Sequence, residues 1–338
     1  MNDAGMQSTA HPAAGSGAAL IHEFSLALYV GAALIFLLVM GLVLVAVFGR
    51  ARPVDRRRWI LGGGIAFPAV TLTVLLTCSL AVGTALSPEG GEGPVRFVLN
   101  CISSSARALG SAVGLGSPQP LRIDIVGRRW WWEVRYQDPD AGLRWVTLAN
   151  ELYLPTGRPA QVTLQAEDVI HSFWVPSLAG KVDMIPGRTN RLVLQADEPG
   201  VHRGQCAEFC GAQHALMALY VMVVPPAEFD AWLRRQAEPV TLPEDAMLRA
   251  GHDAFIKAGC AECHAVRGTV AAGDSAPDLT HVGGRRALGA GLLRNHIGTM
   301  AGWIADPQML KPGNLMPQTR TLDGQELRAL AQWLGSLQ

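Results

Sequence analysis

Charge is scarce in this chain. Asp, Glu, Lys and Arg make up 17% of its 338 residues, and 28 basic residues offset 28 acidic ones, for a formal net charge of zero. Without a surplus of one sign there is no electrostatic case for a nucleic-acid partner. The scarcity is uneven. No charged residue occurs from Leu26 to Phe48 or from Ile60 to Leu86. Each run exceeds the roughly 20 residues a helix needs to cross a bilayer. Buried core helices rarely lack charge for so long, so two membrane spans are expected. A cleaved leader explains the first run poorly: it is too long, has no basic start and is followed by arginines. Internal repeats are also absent. Cysteine is sparse, with six residues, and four of them fall in two short motifs.

Between the two runs lie Arg50, Arg52, Arg56, Arg57 and Arg58, whereas the outer flanks carry Glu23, Glu89 and Glu92. Basic residues gather on the cytoplasmic side of a membrane. The pattern predicts a two-pass hairpin in a bacterial inner membrane, with both termini and everything after about Ser87 outside the cytoplasm.

Composition then divides the chain. Residues 1–20 are small and polar and are expected to be disordered, and 21–88 form the transmembrane hairpin. Residues 89–120, rich in Gly, Ser and Pro, are a linker or long loop. Period-2 alternation begins at Leu121, and strand-like runs follow at 132–136, 145–148, 161–165, 191–195 and 218–224, separated by Pro-Gly turn signals. Residues 121–237 therefore read as an antiparallel β-sandwich closed by a short helix at Pro225-Pro226. After a linker at 238–245, residues 246–338 read as a small all-α domain. Its last helix has Asp323 as N-cap and Glu326 in the capping-box position.

The densest chemistry lies at Gln205-Cys206-Ala-Glu208-Phe-Cys210-Gly-Ala-Gln-His214-Ala-Leu-Met217. Thiolate, thioether and imidazole together favour copper over hard cations. Two cysteines on one loop can bridge two metal ions. Two ions need a second imidazole, and His171 is the best candidate, with Asp168 as its hydrogen-bond partner. His202 is expected to point away. A Cys206–Cys210 disulfide remains an alternative in an oxidising compartment. Zinc is another, although the spacing suits it poorly. The second motif, Cys260-Ala-Glu-Cys263-His264, has the spacing for covalent c-type haem attachment. Cys78 is a small apolar residue of the second span, and Cys101 has no assigned role.

Three segments resemble subunit II of haem–copper cytochrome c oxidase: Asp168-Val-Ile-His171-Ser-Phe-Trp-Val-Pro-Ser177, Lys181-Val-Asp-Met-Ile-Pro-Gly-Arg188 and Gln205 to Met217. The resemblance covers about 22–235. It implies a cupredoxin-like Greek-key sandwich holding a dinuclear CuA centre. Cys206 and Cys210 would bridge the coppers, with His171, His214 and Met217 as further ligands. Glu208 would give its backbone carbonyl, and its carboxylate would reach a magnesium ion shared with subunit I. Gly127-Arg-Arg-Trp130-Trp131-Trp132 is similar to the family's aromatic segment, which implies that Trp130 is an exposed point of electron input. The acidic residue that many relatives carry near the start of the second span is missing. Asp55 is the only acid near Arg56–Trp59, so the resemblance gives no role in proton uptake.

The last domain resembles class I cytochromes c over about 246–338. There Cys260 and Cys263 would form thioethers to haem, and His264 would bind the iron. Met316 would be the second axial ligand in preference to Met300 or Met309. The backbone at Pro277 would orient His264. His281 and His296 are expected at the surface or in supporting positions. Together the resemblances imply a subunit that passes electrons from haem c to CuA and on to haem in subunit I, where oxygen is reduced to water. Implied partners are subunit I, subunit III, membrane lipid, and an external cytochrome c or respiratory complex as donor. The alternatives are a CuA subunit of a nitric oxide reductase and a membrane-anchored copper-delivery protein.

Overall fold

The computed structural model describes residues 13–49, 55–86, 120–137 and 145–338. Two helices, α1 (Ser16–Phe48) and α2 (Arg56–Ala85), are long and apolar enough to cross a membrane. Their large side chains, among them Phe36, Leu37, Leu72 and Leu76, face outward, as a helix solvated by lipid requires. Asp55 caps α2, accepting from the backbone N–H groups of Arg57 (3.0 Å) and Arg58 (3.2 Å). The turn from Trp59 to Ala66 is π-helical. Residues 16–20, expected to be disordered, are helical. Just before them Ala14 donates to Ser177 O (2.8 Å) and accepts from Asp197 N–H (3.1 Å). The expected linker at 89–119, with Cys101, lies outside the described residues, as do Arg50, Arg52, Glu89 and Glu92.

The sandwich has ten strands: β1 (Leu121–Arg128), β2 (Trp131–Gln137), β3 (Trp145–Ala149), β4 (Glu151–Pro155), β5 (Ala160–Ala166), β6 (His171–Trp174), β7 (Val182–Met184), β8 (Asn190–Leu194), β9 (Gly200–Cys206) and β10 (Ala218–Val224). One sheet runs β3-β2-β1-β5-β8 and the other β4-β10-β9-β6-β7. The expectation of a purely antiparallel sandwich needs correction. β1 pairs with β5 and β4 with β10 in parallel, because the chain switches sheets between those partners and a parallel pair needs such a crossover. Ile123, Ile125, Trp132, Val134, Leu164, Phe173 and Leu219 fill the space between the sheets. Helix α3 (Pro226–Ala237) closes one end, where Trp232 stacks on Tyr153 at 4.0 Å.

The last domain, expected to be all-α, is helical but also holds a short antiparallel ladder of β11 (Ala287–Leu288) and β12 (Leu293–Arg294), and it has its own core. Helices α4 (Ala246–Lys257), α5 (Ile297–Ala305) and α7 (Gly324–Ser336) pack around Phe255, Met300, Leu330 and Trp333. The Phe255 and Trp333 rings meet edge to face at 5.3 Å. The short α6 (Pro307–Leu310) leads into the loop that carries Met316. Asp323 caps α7 by accepting from Gln325 N–H and Glu326 N–H, and Glu326 accepts from Asp323 N–H at 3.0 Å.

Candidate metal centre

Strands β6 and β9 pair at Phe173–Cys206, which places His171 at the start of one strand and Cys206 at the end of the other. The loop after β9 turns back through Gly211, whose φ of 110° suits glycine. It enters a short 3₁₀ turn at His214–Leu216 and runs into β10 at Ala218. This brings the donor atoms into a row. Cys206 Sγ lies 3.7 Å from Cys210 Sγ, too far for a disulfide. Cys206 Sγ is 3.9 Å from His171 Nδ1 and 3.2 Å from Glu208 O. Cys210 Sγ is 3.7 Å from His214 Nδ1 and 3.9 Å from Met217 Sδ. Each sulfur therefore has one imidazole nitrogen and one weaker donor beside it. A single tetrahedral ion would not use such a two-ended set; two soft ions sharing the sulfurs would. His171, Cys206 and Cys210 are all buried.

The surroundings prepare these donors. His171 Nε2 bonds Asp168 Oδ1 at 2.9 Å, which leaves Nδ1 to face Cys206. Burial works against charge on this ring, but Cys206 and Asp168 on its two nitrogens outweigh it and raise its pKa. Burial alone would also raise Asp168. Bonds from His171, Val169 N–H and Arg129 N–H hold its carboxyl below the usual range instead. The neighbouring sulfur of Cys210, with His171 and the Glu208 backbone, pulls the Cys206 thiol far down, toward the thiolate that binds metal. Sequence reasoning missed Gly127. A Cβ there would stand 2.9 Å from His171 Cδ2, so the glycine makes room for the ring. Its position directly before Arg128-Arg129-Trp130 was the available signal. The exposed carboxylate of Glu208 lies 3.8 Å from Lys181 Nζ, so a magnesium ion there would compete with an ammonium.

Trp130 corrects an expectation. It is 9% exposed, its indole N–H donates to Cys210 O at 2.8 Å, and its backbone carbonyl is taken by Lys311 of the helical domain. The indole is part of the sandwich's own core, and the bond to the second domain is made by its backbone. His202 also differs from expectation. It is buried, with Nδ1 2.9 Å from Ser177 Oγ.

In the helical domain, a 3₁₀ turn over Cys260–Glu262 follows Gly259 at φ 74°. His264 N–H donates to Cys260 O at 3.0 Å, which folds the two cysteines and the histidine into one turn. His264 Nδ1 bonds Pro277 O at 2.7 Å. Burial lowers the pKa of this ring, which favours its neutral form, and the Pro277 carbonyl engages Nδ1 rather than Nε2. Met316 is half-buried, with its N–H bonded to Asn314 Oδ1 (2.8 Å) and its carbonyl to Gln308 Nε2 (2.9 Å). Met309 is 78% exposed and Met300 is core. Of the two places expected for His281, the surface one does not hold: it is buried and bridges Gln338 O (3.0 Å) and Glu238 O (3.1 Å). His296 caps α5.

Residues 139–224 match the family described as "Cytochrome C oxidase subunit II, periplasmic domain", and residues 248–338 match "Cytochrome c". Cytochrome c oxidase subunit 2 of Alkalihalophilus pseudofirmus OF4 is 39% identical over 215 residues, which are 64% of this chain and 60% of that protein. The Bacillus subtilis 168 protein of the same name is 32% identical over 234 residues, 66% of this chain and 64% of that protein. The chain thus spans a little over three fifths of the length of these curated relatives. Among solved structures, the periplasmic domain of subunit II of cytochrome oxidase (CoxB) of Bradyrhizobium japonicum is 33% identical. That match covers 35% of this chain and 95% of the other, with a TM-score of 0.32.

Proposed function

From a chain that joins a cytochrome c oxidase subunit II periplasmic domain to a cytochrome c domain, we propose a membrane-anchored subunit that receives single electrons and hands them to a haem–copper oxidase. The observation that carries this reading is the two-ended donor row at Cys206 and Cys210, each sulfur flanked by an imidazole nitrogen. His171, Cys206, Cys210, His214, Met217 and the Glu208 carbonyl would hold a dinuclear copper centre. Cys260 and Cys263 would attach haem c, with His264 and Met316 on the iron. Bound there, the two groups would supply reversible one-electron chemistry.

The protein's own residues do the rest. Asp168 fixes the tautomer of His171, and Pro277 fixes that of His264. Cys206 and Cys210 are themselves buried, which would keep water from both thiolates, and strands β9 and β10 hold the two ends of their loop. Every donor around the two sulfurs is supplied by the chain, so this site suits passing an electron and not binding a substrate. The electron would continue to haem in subunit I, with subunit III also in the complex, and an external cytochrome c or respiratory complex would refill the haem domain. Both globular domains would lie on the outer face of the inner membrane.

Purified chain should contain two coppers for each haem, with an EPR signal from one unpaired electron shared between two copper nuclei. Colourless, readily lost copper would support copper delivery instead. Nitric oxide consumption without oxygen uptake by the assembled complex would point to the reductase.

A further inference from the structure

One lysine of the helical domain reaches into the sandwich beside the proposed copper ligands. Lys311 lies between α6 and Met316 and is 3% exposed. Its Nζ donates to three backbone carbonyls: Trp130 O at 2.9 Å, Leu216 O at 2.9 Å and Gly289 O at 3.0 Å. Three donors meet three acceptors, which uses the full capacity of an ammonium. Two of the carbonyls belong to the sandwich. Leu216 immediately precedes Met217, and the Trp130 indole bonds the carbonyl of Cys210. The cage is therefore built on the loop of the proposed copper ligands.

The other end of the lysine is tied as closely to the haem side. Asn314 Nδ2 donates to Lys311 O at 2.7 Å, and Asn314 Oδ1 accepts from Met316 N–H at 2.8 Å. Next to Lys311, Pro312 O accepts from Gln213 Nε2, beside His214. No carboxylate among the described residues bonds the ammonium. A buried cation satisfied only by carbonyls is expensive, and removing it would leave those three carbonyls without a donor. Recognition of three fixed carbonyls is what the lysine adds.

We propose that Lys311 is a positioning residue that fixes the Met316 loop against the Cys210–Met217 loop and so sets the separation of the two redox groups. The proposal rests on the reading above. Without Lys311, the linker 238–245 and bonds elsewhere on the interface, such as Arg286 N–H to Glu151, would keep the domains near each other, and a looser contact samples more separations. Electron transfer decays exponentially with distance, so one fixed short separation outperforms a tether that seldom reaches it.

The test compares the full-length protein with Lys311→Met. Three quantities are read: transfer of one electron from reduced haem to the oxidised copper pair after flash reduction, relaxation enhancement of the copper EPR signal by ferric haem, and backbone hydrogen exchange of 205–217 and 307–316 in cofactor-free chain. In Lys311→Met, transfer should slow on the order of ten-fold or more. Relaxation enhancement should fall and exchange should rise in both loops, while both absorption spectra and midpoint potentials stay as in wild type. Lys311→Gln, which keeps two N–H donors, should be intermediate. Unchanged transfer and exchange would overturn the proposal. Loss of haem in both variants would overturn it too, because the lysine would then serve the fold of its own loop. If wild-type protein shows no copper or haem spectrum, the functional reading fails by itself, and the exchange comparison still decides the interlock.

Discussion

Single atoms decide whether the donor row forms. Adding a methyl group at Gly127 would press on the imidazole of His171. Gly127→Ala should lower copper content and destabilise the sandwich by about 1–3 kcal/mol, measured by copper assay and denaturant unfolding. His214→Ala removes the nitrogen beside Cys210 Sγ and should abolish the copper absorption while leaving the haem spectrum intact. Loss of both spectra would contradict separate sites. Met316→Ala should leave the haem iron high-spin or with an exchanged ligand. A persisting low-spin, methionine-ligated spectrum would assign the ligand elsewhere.

At the scale of elements, the helical domain depends on the contact between α4 and α7. Trp333 is buried against Phe255 and His252. Trp333→Ala should cost about 3–5 kcal/mol and melt this domain first, a difference that calorimetry can resolve against the sandwich transition. The amphipathic pattern of α7 and its Asp323–Glu326 cap were legible in the sequence because a helix writes both within a few residues. Strands β1 and β5 were legible for a similar reason, through local alternation, and β10 as a continuous apolar run. Strands β4, β6, β7 and β9 were not. In β4 and β6 nearly every side chain is covered, which erases the period of two, and β9 carries His202, Arg203 and Gln205 among glycines. Cys206, Cys210, His214, Met217 and His171 could be singled out as candidate ligands from chemistry and spacing, whereas Glu208 and Met316 came from the resemblance. The partners of His202 and His281 could not, since Ser177 and Gln338 are 25 and 57 residues away.

On the scale of the molecule, the docked pair of domains should respond to pH. The Glu151 carboxyl accepts from Arg286 N–H across the interface at 2.6 Å. Burial pushes its pKa from 4.5 up to about 7, against the pull of Arg286 and Arg285; Tyr153 also faces it. A carboxyl raised in the folded state binds its proton more tightly there than in the unfolded chain. The contribution of Glu151 to stability should therefore be fully present below pH 4.5 and be lost as pH rises through 7, about 3 kcal/mol in all. Burial lowers Lys311 to about 8, so it titrates mainly above this window. Glu151→Gln should flatten the slope between pH 4.5 and 7 in denaturant titrations.

The cover on Trp130 has a consequence for traffic. Its indole is packed into the core of the sandwich, and its carbonyl is held by Lys311 of the helical domain. On the proposed reading a soluble donor would find no open indole and would deliver at the haem side, so the choice of visiting donor would pass to the outer surface of the last ninety or so residues.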